Sequence, residues 1–187
     1  DHTDKILEQY KDFIRLETCP EVNLCMSRNI GVRAAAGEII AFIDDDAVPE
    51  NKKWIENAVA CFADEEIGVV GGSVLRIGGQ IEFQYGYFSI WGDNSSYSDF
   101  PLSDLEPGWY RGCAGGNVFF RKSAVIAVGG FDEYYVYYMD ETDLCMRVAQ
   151  AGFRVEYGEH MEIIHEAAKS ANRKSKYNLN WDVIARS

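Results

Sequence analysis

The stretch IIAFIDDDAVPE occupies residues 39–50. Its first five residues are all apolar, which predicts a strand covered on both faces, as in a parallel sheet. Three consecutive carboxylates, Asp44, Asp45 and Asp46, follow at the carboxyl end of this strand, where ligands of open α/β sheets bind. Like charges ~4 Å apart near a protein surface repel by roughly 4 kcal/mol at an effective dielectric of about 20. Solvent, basic side chains or a bound cation must therefore offset the repulsion, and a plain polar turn before Pro49 explains the triplet equally well.

Composition sets the class of protein and excludes one class of partner. The chain has 187 residues, of which 47% are hydrophobic, so it can form one globular domain with a real core. Its formal net charge of −12 argues against a nucleic-acid-binding surface, which needs clustered Lys and Arg. An acidic protein can still bind a phosphorylated substrate when a metal ion bridges the two negative partners.

Cysteine usage and hydropathy predict where the protein resides. The five cysteines are odd in number and show no CxxC spacing, so we expect reduced thiols and a cytoplasmic protein. The sequence has no run of 18 apolar residues, so no membrane span is predicted. The abrupt start of the chain leads us to expect that the native N-terminus is missing.

Helical and strand patterns alternate along the chain, which indicates one α/β domain over residues 1–187. Helices are predicted over residues 4–16, 24–36, 52–63, 123–128 and 140–151. Strands are predicted over residues 39–43, 67–73 and 117–121, and near Val155 and Ile163. Residues 75–110 show no clean period and are predicted to be an irregular insert with room for one short strand, and residues 166–187 to be a C-terminal tail.

The segment DETDLCMR, residues 140–147, has a structural interpretation and a functional one. Asp140 can cap the helix while Asp143 returns to the N–H of the cap residue, as in a capping box. This scheme leaves Glu141 without a structural role, in a first helical turn beside loops that could carry a substrate. Glu141 is therefore a candidate functional carboxylate.

His165 follows the apolar pair Ile163-Ile164. A lone His after a strand is more often structural than a ligand. The interpretation of His165 as a metal ligand becomes stronger if the fold brings it to the acidic triplet, because imidazole and carboxylate together suit Mn²⁺ or Mg²⁺.

Four segments in order resemble one family. They are NIGVRAAAGEIIAFIDDDAVPE, GGNVFFRKSAVIAVGGFDEYY, DETDLCMRVAQAGFRVEY and then His165. Their order and spacing resemble those of family 2 glycosyltransferases with the GT-A fold, over residues 23–170. The resemblance implies a single Rossmann-like GT-A domain with a mostly parallel central sheet. The opening DHTDK looks like the end of the family's first acidic segment, which implies that the N-terminal nucleotide-binding strands are absent.

The resemblance implies an inverting, metal-dependent transfer of a sugar from a nucleotide-diphosphate donor to a carbohydrate or glycoconjugate acceptor. Asp44 and Asp45 look like the part of the DxD motif that faces the ribose and the sugar. Asp46 looks like the ligand of Mn²⁺ or Mg²⁺, and His165 is similar to the His that completes the metal site. The departing diphosphate develops negative charge, which a divalent ion stabilises.

Further site residues are implied in the same way. Arg28 looks like the helix residue that lines the donor pocket, and Trp109 is expected in the acceptor wall. The segment expected under the donor sugar is Gly115, Gly116 and Asn117. The family usually reads Glu-Asp where this chain has Asp140-Glu141, so Glu141 occupies the base position, with Asp140 as its competitor.

Rival functions remain open at this level. Asp44 to Val48 also fits the nucleophile motif of HAD-type phosphatases, and a nucleotidyltransferase or an inactive binding fragment would share the sheet and the aspartates. Other expectations follow from the missing strands and from the family: self-association through an incomplete sheet, and a place at the inner face of the membrane. Residues 75–110 and the C-terminal tail are expected to decide the acceptor.

Overall fold

The computed structural model describes residues 3–96, 105–135, 137–166, 173–175 and 178–179. The helices in these residues are α1 (Thr3–Tyr10), α2 (Leu24–Ala34), α3 (Trp54–Cys61), α4 (Lys122–Ala127) and α5 (Asp140–Gln150). The strands before the long gap are β1 (Ile39–Ile43), β2 (Ala47–Pro49), β3 (Ile67–Gly71), β4 (Val74–Arg76), β5 (Ile81–Phe83), β6 (Gly86–Ser89) and β7 (Asn94–Ser96). The strands after it are β8 (Trp109–Gly112), β9 (Asn117–Arg121), β10 (Arg154–Tyr157), β11 (Ile163–His165), β12 (Arg173–Ser175) and β13 (Asn178–Leu179). Most of the predicted C-terminal tail lies outside the described residues.

The central sheet has the strand order β1-β9-β3-β10. Strand β9 is antiparallel to both β1 and β3, whereas β10 is parallel to β3. Three of these four strands therefore run in one direction and β9 runs against them, so the sheet is mixed, with one parallel and two antiparallel neighbouring pairs. The reversed strand was not predicted, because a run of apolar residues shows burial but not direction.

Both faces of the sheet are covered, because side chains alternate between the faces along each strand. Phe120 and Val69 pack with helices α2, α4 and α5 on one face. Their chain neighbours Phe119 and Val70 pack with Trp54 of α3 on the other. The core is thus two apolar layers separated by the sheet, as expected for an α/β domain.

Strand β1 differs from its prediction in one respect. It occupies the predicted residues, but among the described strands it forms an edge of the sheet. Ile40 is buried, whereas Ala41 and Ile43 are exposed. The expectation of a strand covered on both faces is therefore wrong: Ile40 and Phe42 pack into the core on one face, whereas Ala41 and Ile43 on the opposite face are exposed.

Local sequence signals predicted the start of one helix correctly and failed for parts of two others. Asn23 caps α2 as predicted, since its side-chain oxygen accepts from the N–H of Met26 at 2.9 Å. Helix α1 ends at Tyr10 and buries no residue, so the apolar period predicted to continue to residue 16 is not used for packing. At α5 the predicted capping box is wrong: the cap is Met139, and no side chain caps the helix.

A second sheet brings distant segments together in the order β2-β11-β4-β5. Strand β11 pairs antiparallel with β2 and parallel with β4. His165 therefore lies opposite Ala47, the residue that follows the acidic triplet. The N–H of Glu166 also donates to the carbonyl of Asp46 at 2.9 Å.

The region predicted to be irregular, residues 75–110, contains regular strands where the structure describes it. Strand β4 pairs with β5, and β6 lies between β7 and β8 in a third sheet. These strands are three or four residues long. Sequences this short give no readable alternation, and the pairing is decided by contacts between distant segments. Residues 97–104 of this region lie outside the described residues.

No helix in the described part of the chain combines the length and the apolar character that a membrane crossing requires.

Candidate active site

The acidic triplet and His165 meet at the carboxyl end of β1. One possible ligand atom from each of Asp44, Asp46 and His165 lies within 4.8 Å of the others. His165 is buried, and its Nε2 lies 3.1 Å from Oδ1 of Asp46. The condition set for His165 by the sequence is therefore met, because the fold places the imidazole at the triplet.

The two outer aspartates of the triplet converge because the chain turns there. The N–H of Ala47 donates to the carbonyl of Asp44 at 3.1 Å, which closes a turn over the triplet. Asp45, in the middle, is exposed and does not line the adjacent cavity. This placement does not support the predicted contact of Asp45 with the donor.

Glu82 stands behind the histidine. Its Oε2 lies 3.5 Å from Nδ1 of His165, and only 22% of the Glu82 side chain is exposed. Histidines that bind metals usually have their second ring nitrogen directed at a carboxylate or carbonyl, which fixes the tautomer and the orientation of the ring. Glu82 is therefore a candidate functional residue that sequence reasoning missed. Its only signal was a carboxylate on a short strand in a region with no readable period.

The triplet borders a cavity of about 330 Å³. Its ionisable lining has an excess of negative charge: one guanidinium, one imidazole and four carboxylates, namely Arg28, His165, Asp44, Glu82, Asp140 and Glu141. Burial is the main factor that raises the pKa of Asp44, and Asp45 and Asp46 add to it, while Arg28 and His165 lower it. An anionic ligand would therefore enter this cavity with difficulty unless a cation came with it.

Arg28 connects helices α2 and α5. Its guanidinium forms an ion pair with Asp140, in which both side chains are almost fully buried, and it donates to the carbonyl of Gly115 at 3.3 Å. Its charge also lies over the rings of Phe42 and Phe131, at 5.6 and 5.3 Å from their centroids. Arg28 lines the cavity, and its Nη1 and Nη2 already donate to protein groups. Its predicted place in the donor pocket stays a prediction.

Asp140 and Glu141 have separate environments. Asp140 is 1% exposed and is occupied by Arg28, not by the helix terminus. Glu141 has 22% of its side chain exposed, and its Oε2 lies 3.8 Å from Nη1 of Arg28. Burial and the adjacent Asp140 carboxylate raise the pKa of Glu141 to about 8. Of the two candidate bases, Glu141 is the more accessible from the cavity.

Two glycines allow these groups to approach each other. A Cβ at Gly116 would stand 2.4 Å from Oδ2 of Asp44, and a Cβ at Gly115 would stand 2.8 Å from Nη2 of Arg28. Both distances are shorter than real contacts of a Cβ. Gly115 and Gly116 line the cavity, and a side chain at either position would collide with these groups. Their place under the donor sugar stays a prediction.

Asn117, predicted beside these glycines as a donor contact, has a structural position. It is fully buried, its amide nitrogen donates to the carbonyls of Ser73 and Met161, and its oxygen accepts from Trp54. No part of it lines the cavity. The structure therefore does not support donor contact by Asn117.

Two residues before α5 have strained backbones. Tyr138 and Met139 have φ values of 81° and 65°, in the left-handed region that non-glycine residues seldom occupy. Both line the cavity. Strain of this kind, at about 1–3 kcal/mol per residue, persists where surrounding structure enforces it, often at functional sites.

The chain is similar to two family models and to several individual proteins. The family model described as glycosyl transferase family 2 matches residues 1–129, and the one described as N-terminal domain of galactosyltransferase matches residues 105–170. An N-acetylglucosaminyl-diphospho-decaprenol L-rhamnosyltransferase of Mycobacterium tuberculosis is 35% identical over 95 residues, which cover 48% of this chain and 30% of the relative. The rhamnosyltransferase WbbL of Escherichia coli is 28% identical over 118 residues, which cover 63% and 44%.

Solved structures agree at the level of the fold. Mannosyltransferase PcManGT from Pyrobaculum calidifontis, in complex with GDP-Man and Mn²⁺, matches 91% of this chain and 46% of its own with a TM-score of 0.61 and 15% identity. GalNAc-T7 with UDP, GalNAc and Mn²⁺ matches 88% of this chain and 35% of its own with a TM-score of 0.65 and 16% identity. The chain therefore spans less than half of the length of each of these proteins, and it has the GT-A fold. Because the first family match extends over more than half of the residues, this chain belongs to glycosyl transferase family 2.

Proposed function

We propose that this protein transfers a sugar, with inversion, from a nucleotide-diphosphate sugar to an acceptor hydroxyl, with the help of Mn²⁺ or Mg²⁺. One observation carries the proposal: Asp44 and His165, which form a possible metal site together with Asp46, line the same cavity as the carboxylate of Glu141. The names of the relatives, two of them rhamnosyltransferases, favour synthesis of a polysaccharide or glycoconjugate as the setting.

The residues present fit a divalent cation. Carboxylate oxygens with one imidazole nitrogen suit Mn²⁺, and carboxylates also suit Mg²⁺. The lining of the cavity carries more negative than positive charge, so it would repel a diphosphate that arrived without a cation. When bound, the ion stabilises the charge that develops on the departing diphosphate.

Glu141 is the proposed general base. A sugar hydroxyl is a weak nucleophile, so a carboxylate must accept its proton as the oxygen attacks the anomeric carbon. The new glycosidic bond forms as the bond between the anomeric carbon and the diphosphate oxygen breaks, and attack from the opposite side inverts the configuration. With a pKa of about 8, the deprotonated carboxylate binds a proton tightly, so Glu141 suits a general base that works at slightly alkaline pH.

Arg28 and Asp140 hold this arrangement in place. Arg28 pairs with the charge of Asp140 next to Glu141. Its hydrogen bond to the carbonyl of Gly115 links helix α2 to the lining of the cavity. Asp140 is therefore proposed as a positioning residue for Arg28 and not as the base.

The rival enzymatic functions have less support. A HAD-type phosphatase would use Asp44 as a covalent nucleophile together with a lysine, but the described lining of the cavity contains no lysine. The second acidic group also begins helix α5 and does not end a strand. Nothing in the site favours a nucleotidyltransferase over a glycosyltransferase, and the family match favours the latter.

A ligand screen on the full chain tests the proposal. Nucleotide sugars should raise the melting temperature in the presence of Mn²⁺ and not with EDTA, because ligands that bind the native state stabilise it by mass action. Turnover should release a nucleoside diphosphate. Release of inorganic phosphate instead would indicate a phosphatase, and the absence of any Mn²⁺-dependent shift would refute the proposal.

The triplet supplies a matched pair of variants for the same screen. Asp46→Asn should abolish the Mn²⁺-dependent shift, because it removes a ligand close to His165. Asp45→Asn removes the same charge from an exposed position outside the cavity and should leave the shift intact. Equal loss in both variants would mean that only the general negative charge of the triplet matters.

A further inference from the structure

A second cavity adjoins the candidate active site. Its volume is about 530 Å³, and it is lined by residues of β5, β6 and β7 and by Tyr138 and Met139. We infer that this cavity, named here the groove, binds an uncharged sugar ring of the acceptor. The inference rests on the proposed function, since it names the class of acceptor that Glu141 would deprotonate.

The groove and the active-site cavity share part of their lining. Five residues line both of them: Glu82, Phe83, Phe88, Tyr138 and Met139. A molecule in the groove therefore lies against the same walls as a donor in the first cavity. An acceptor must sit next to both the donor and the base, and Tyr138 and Met139, which line the groove, immediately precede the helix that carries Glu141.

The lining of the groove suits a sugar ring. Phe83, Phe88 and Tyr138 keep part of their surface exposed, and Tyr85 closes the wall behind them. The C–H face of a pyranose packs against aromatic rings of this kind, which supply contact area at little cost in conformational entropy.

Neutral polar groups complete the lining. The amides of Gln84 and Asn94 border the groove, and each can both donate and accept a hydrogen bond. Sugar hydroxyls also do both. Few polar groups set among apolar walls are the usual composition of a specific small-molecule site.

The charge of the groove decides between classes of acceptor. Glu82 is the only Asp, Glu, Lys or Arg in the lining that the structure describes. The neighbouring cavity adds three more carboxylates, and the chain as a whole carries −12. A phosphate or a uronate in the groove would be repelled, so the occupant is an uncharged sugar and not the phosphorylated head of a carrier.

The strained backbone is explained by the same role. Positive φ at Tyr138 and Met139 holds both side chains at the junction of the two cavities. Trp109, which the sequence predicted in the acceptor wall, lies on β8 and lines neither of the two cavities. Tyr138 takes the position that was expected of Trp109.

Ligand-observed NMR on the full chain, with EDTA present so that no metal ion can hold the charged probes, tests this inference. The probes are methyl α-D-glucopyranoside and methyl N-acetyl-β-D-glucosaminide as uncharged sugars, and methyl β-D-glucuronide and glucose 1-phosphate as charged ones. The uncharged probes should bind with dissociation constants of about 1–10 mM, and the charged ones should bind roughly tenfold more weakly. Equal or tighter binding of the charged probes would overturn the inference.

Variants of residues that line the groove test where the sugar probes bind. Tyr138→Leu should weaken binding of the uncharged probes roughly fivefold, and Asn94→Ala should also weaken it, without a change in Mn²⁺ affinity. Tyr134→Leu, at a tyrosine that is 80% exposed and outside the groove, is the control and should bind like the wild type. Wild-type binding by Tyr138→Leu would refute the assignment.

The two proposals fail in different ways. If nucleotide sugars bind with Mn²⁺ but no methyl glycoside does, the groove is not an acceptor site and the proposed function stands. If nucleotide sugars do not bind, the proposed function fails and the inference fails with it.

Discussion

Oε2 of Glu82 lies 3.5 Å from Nδ1 of His165. The other ring nitrogen, Nε2, faces Asp46 at 3.1 Å, so the imidazole stands between two carboxylates. With a proton on Nδ1, directed at Glu82, Nε2 is left as the atom that can bind a metal. The histidine is thus already oriented for the role that we propose.

Removing the charge of Glu82 should weaken the metal site. We expect Glu82→Gln to lower the affinity for Mn²⁺ roughly tenfold, because residues behind a ligating histidine contribute about 10–100-fold. Calorimetric titration of Mn²⁺ into the full chain measures this. Glu159→Gln, an exposed carboxylate in the loop between β10 and β11, is the charge-matched control. Unchanged affinity in Glu82→Gln would show that the 3.5 Å contact has no effect on the histidine.

A single methyl group under Asp44 should have a similar effect. Gly116→Ala would place a Cβ 2.4 Å from Oδ2 of Asp44, so the carboxylate has to move away from Asp46 and His165. We expect Mn²⁺ affinity to fall at least about tenfold. In Gly31→Ala the new Cβ meets nothing within 4 Å, and Ala is favoured over Gly in a helix by about 1 kcal/mol, so this control should keep its Mn²⁺ affinity and become slightly more stable. Retained affinity in Gly116→Ala would place the site away from Asp44.

Glu141 predicts two pH dependences. As the general base it must be deprotonated, so the rate of transfer should rise about tenfold per pH unit below its pKa of about 8 and level off above it. Glu141→Gln should abolish transfer and keep the binding of Mn²⁺ and of nucleotide sugar. A flat profile from pH 6 to pH 9 would exclude Glu141 as the base.

Stability gives a readout of Glu141 that does not depend on activity. The native pKa of about 8 is above the ordinary value of 4.5, so the folded protein binds this proton more tightly than the unfolded chain. The stabilisation is complete below about pH 4.5 and is lost as the pH rises through about 8. At pH 9, Glu141→Gln should therefore have a higher free energy of unfolding and a higher melting temperature than the wild type, and the difference should shrink toward pH 5.

The ion pair between Arg28 and Asp140 should matter more for stability than an exposed pair does. Asp140→Asn leaves a nearly buried guanidinium without its main partner, which costs about 3–5 kcal/mol in comparable cases. Asp143→Asn breaks the more exposed pair between Asp143 and Arg147 and should cost less than about 1 kcal/mol. Chemical denaturation of both variants measures the difference. Equal losses would contradict the assignment of Asp140 as the positioning partner of Arg28.

The edge strand predicts self-association. Strand β1 presents the exposed Ile43 at an edge of the central sheet in the described part of the chain, and apolar edges invite pairing. We expect the full chain to form dimers or larger species in sedimentation velocity, and Ile43→Lys to reduce them. Ile126→Lys, on the exposed face of α4, should not. A monomeric wild-type chain would contradict this prediction.

Elements with local signals were predictable from sequence. The cap of α2 at Asn23, the bounds of β1 and β9, and the helix that begins at Asp140 all follow from neighbouring residues. The candidate site residues that came from the family resemblance, among them Arg28, Asp44, Asp46, Gly116 and Glu141, also meet at one cavity or its rim.

The contacts that only the tertiary structure determines join residues that are far apart in the chain. Arg28 and Asp140 are separated by 112 positions, and their ion pair replaced the local capping box that the sequence favoured. Asn117 became a core residue because Trp54, Ser73 and Met161 satisfy its amide. Glu82 gained its role from a strand too short to show a pattern. Sequence periodicity reports which face of an element is buried, whereas partners across a sheet are set by how the elements pack, so these contacts could be known only from the fold.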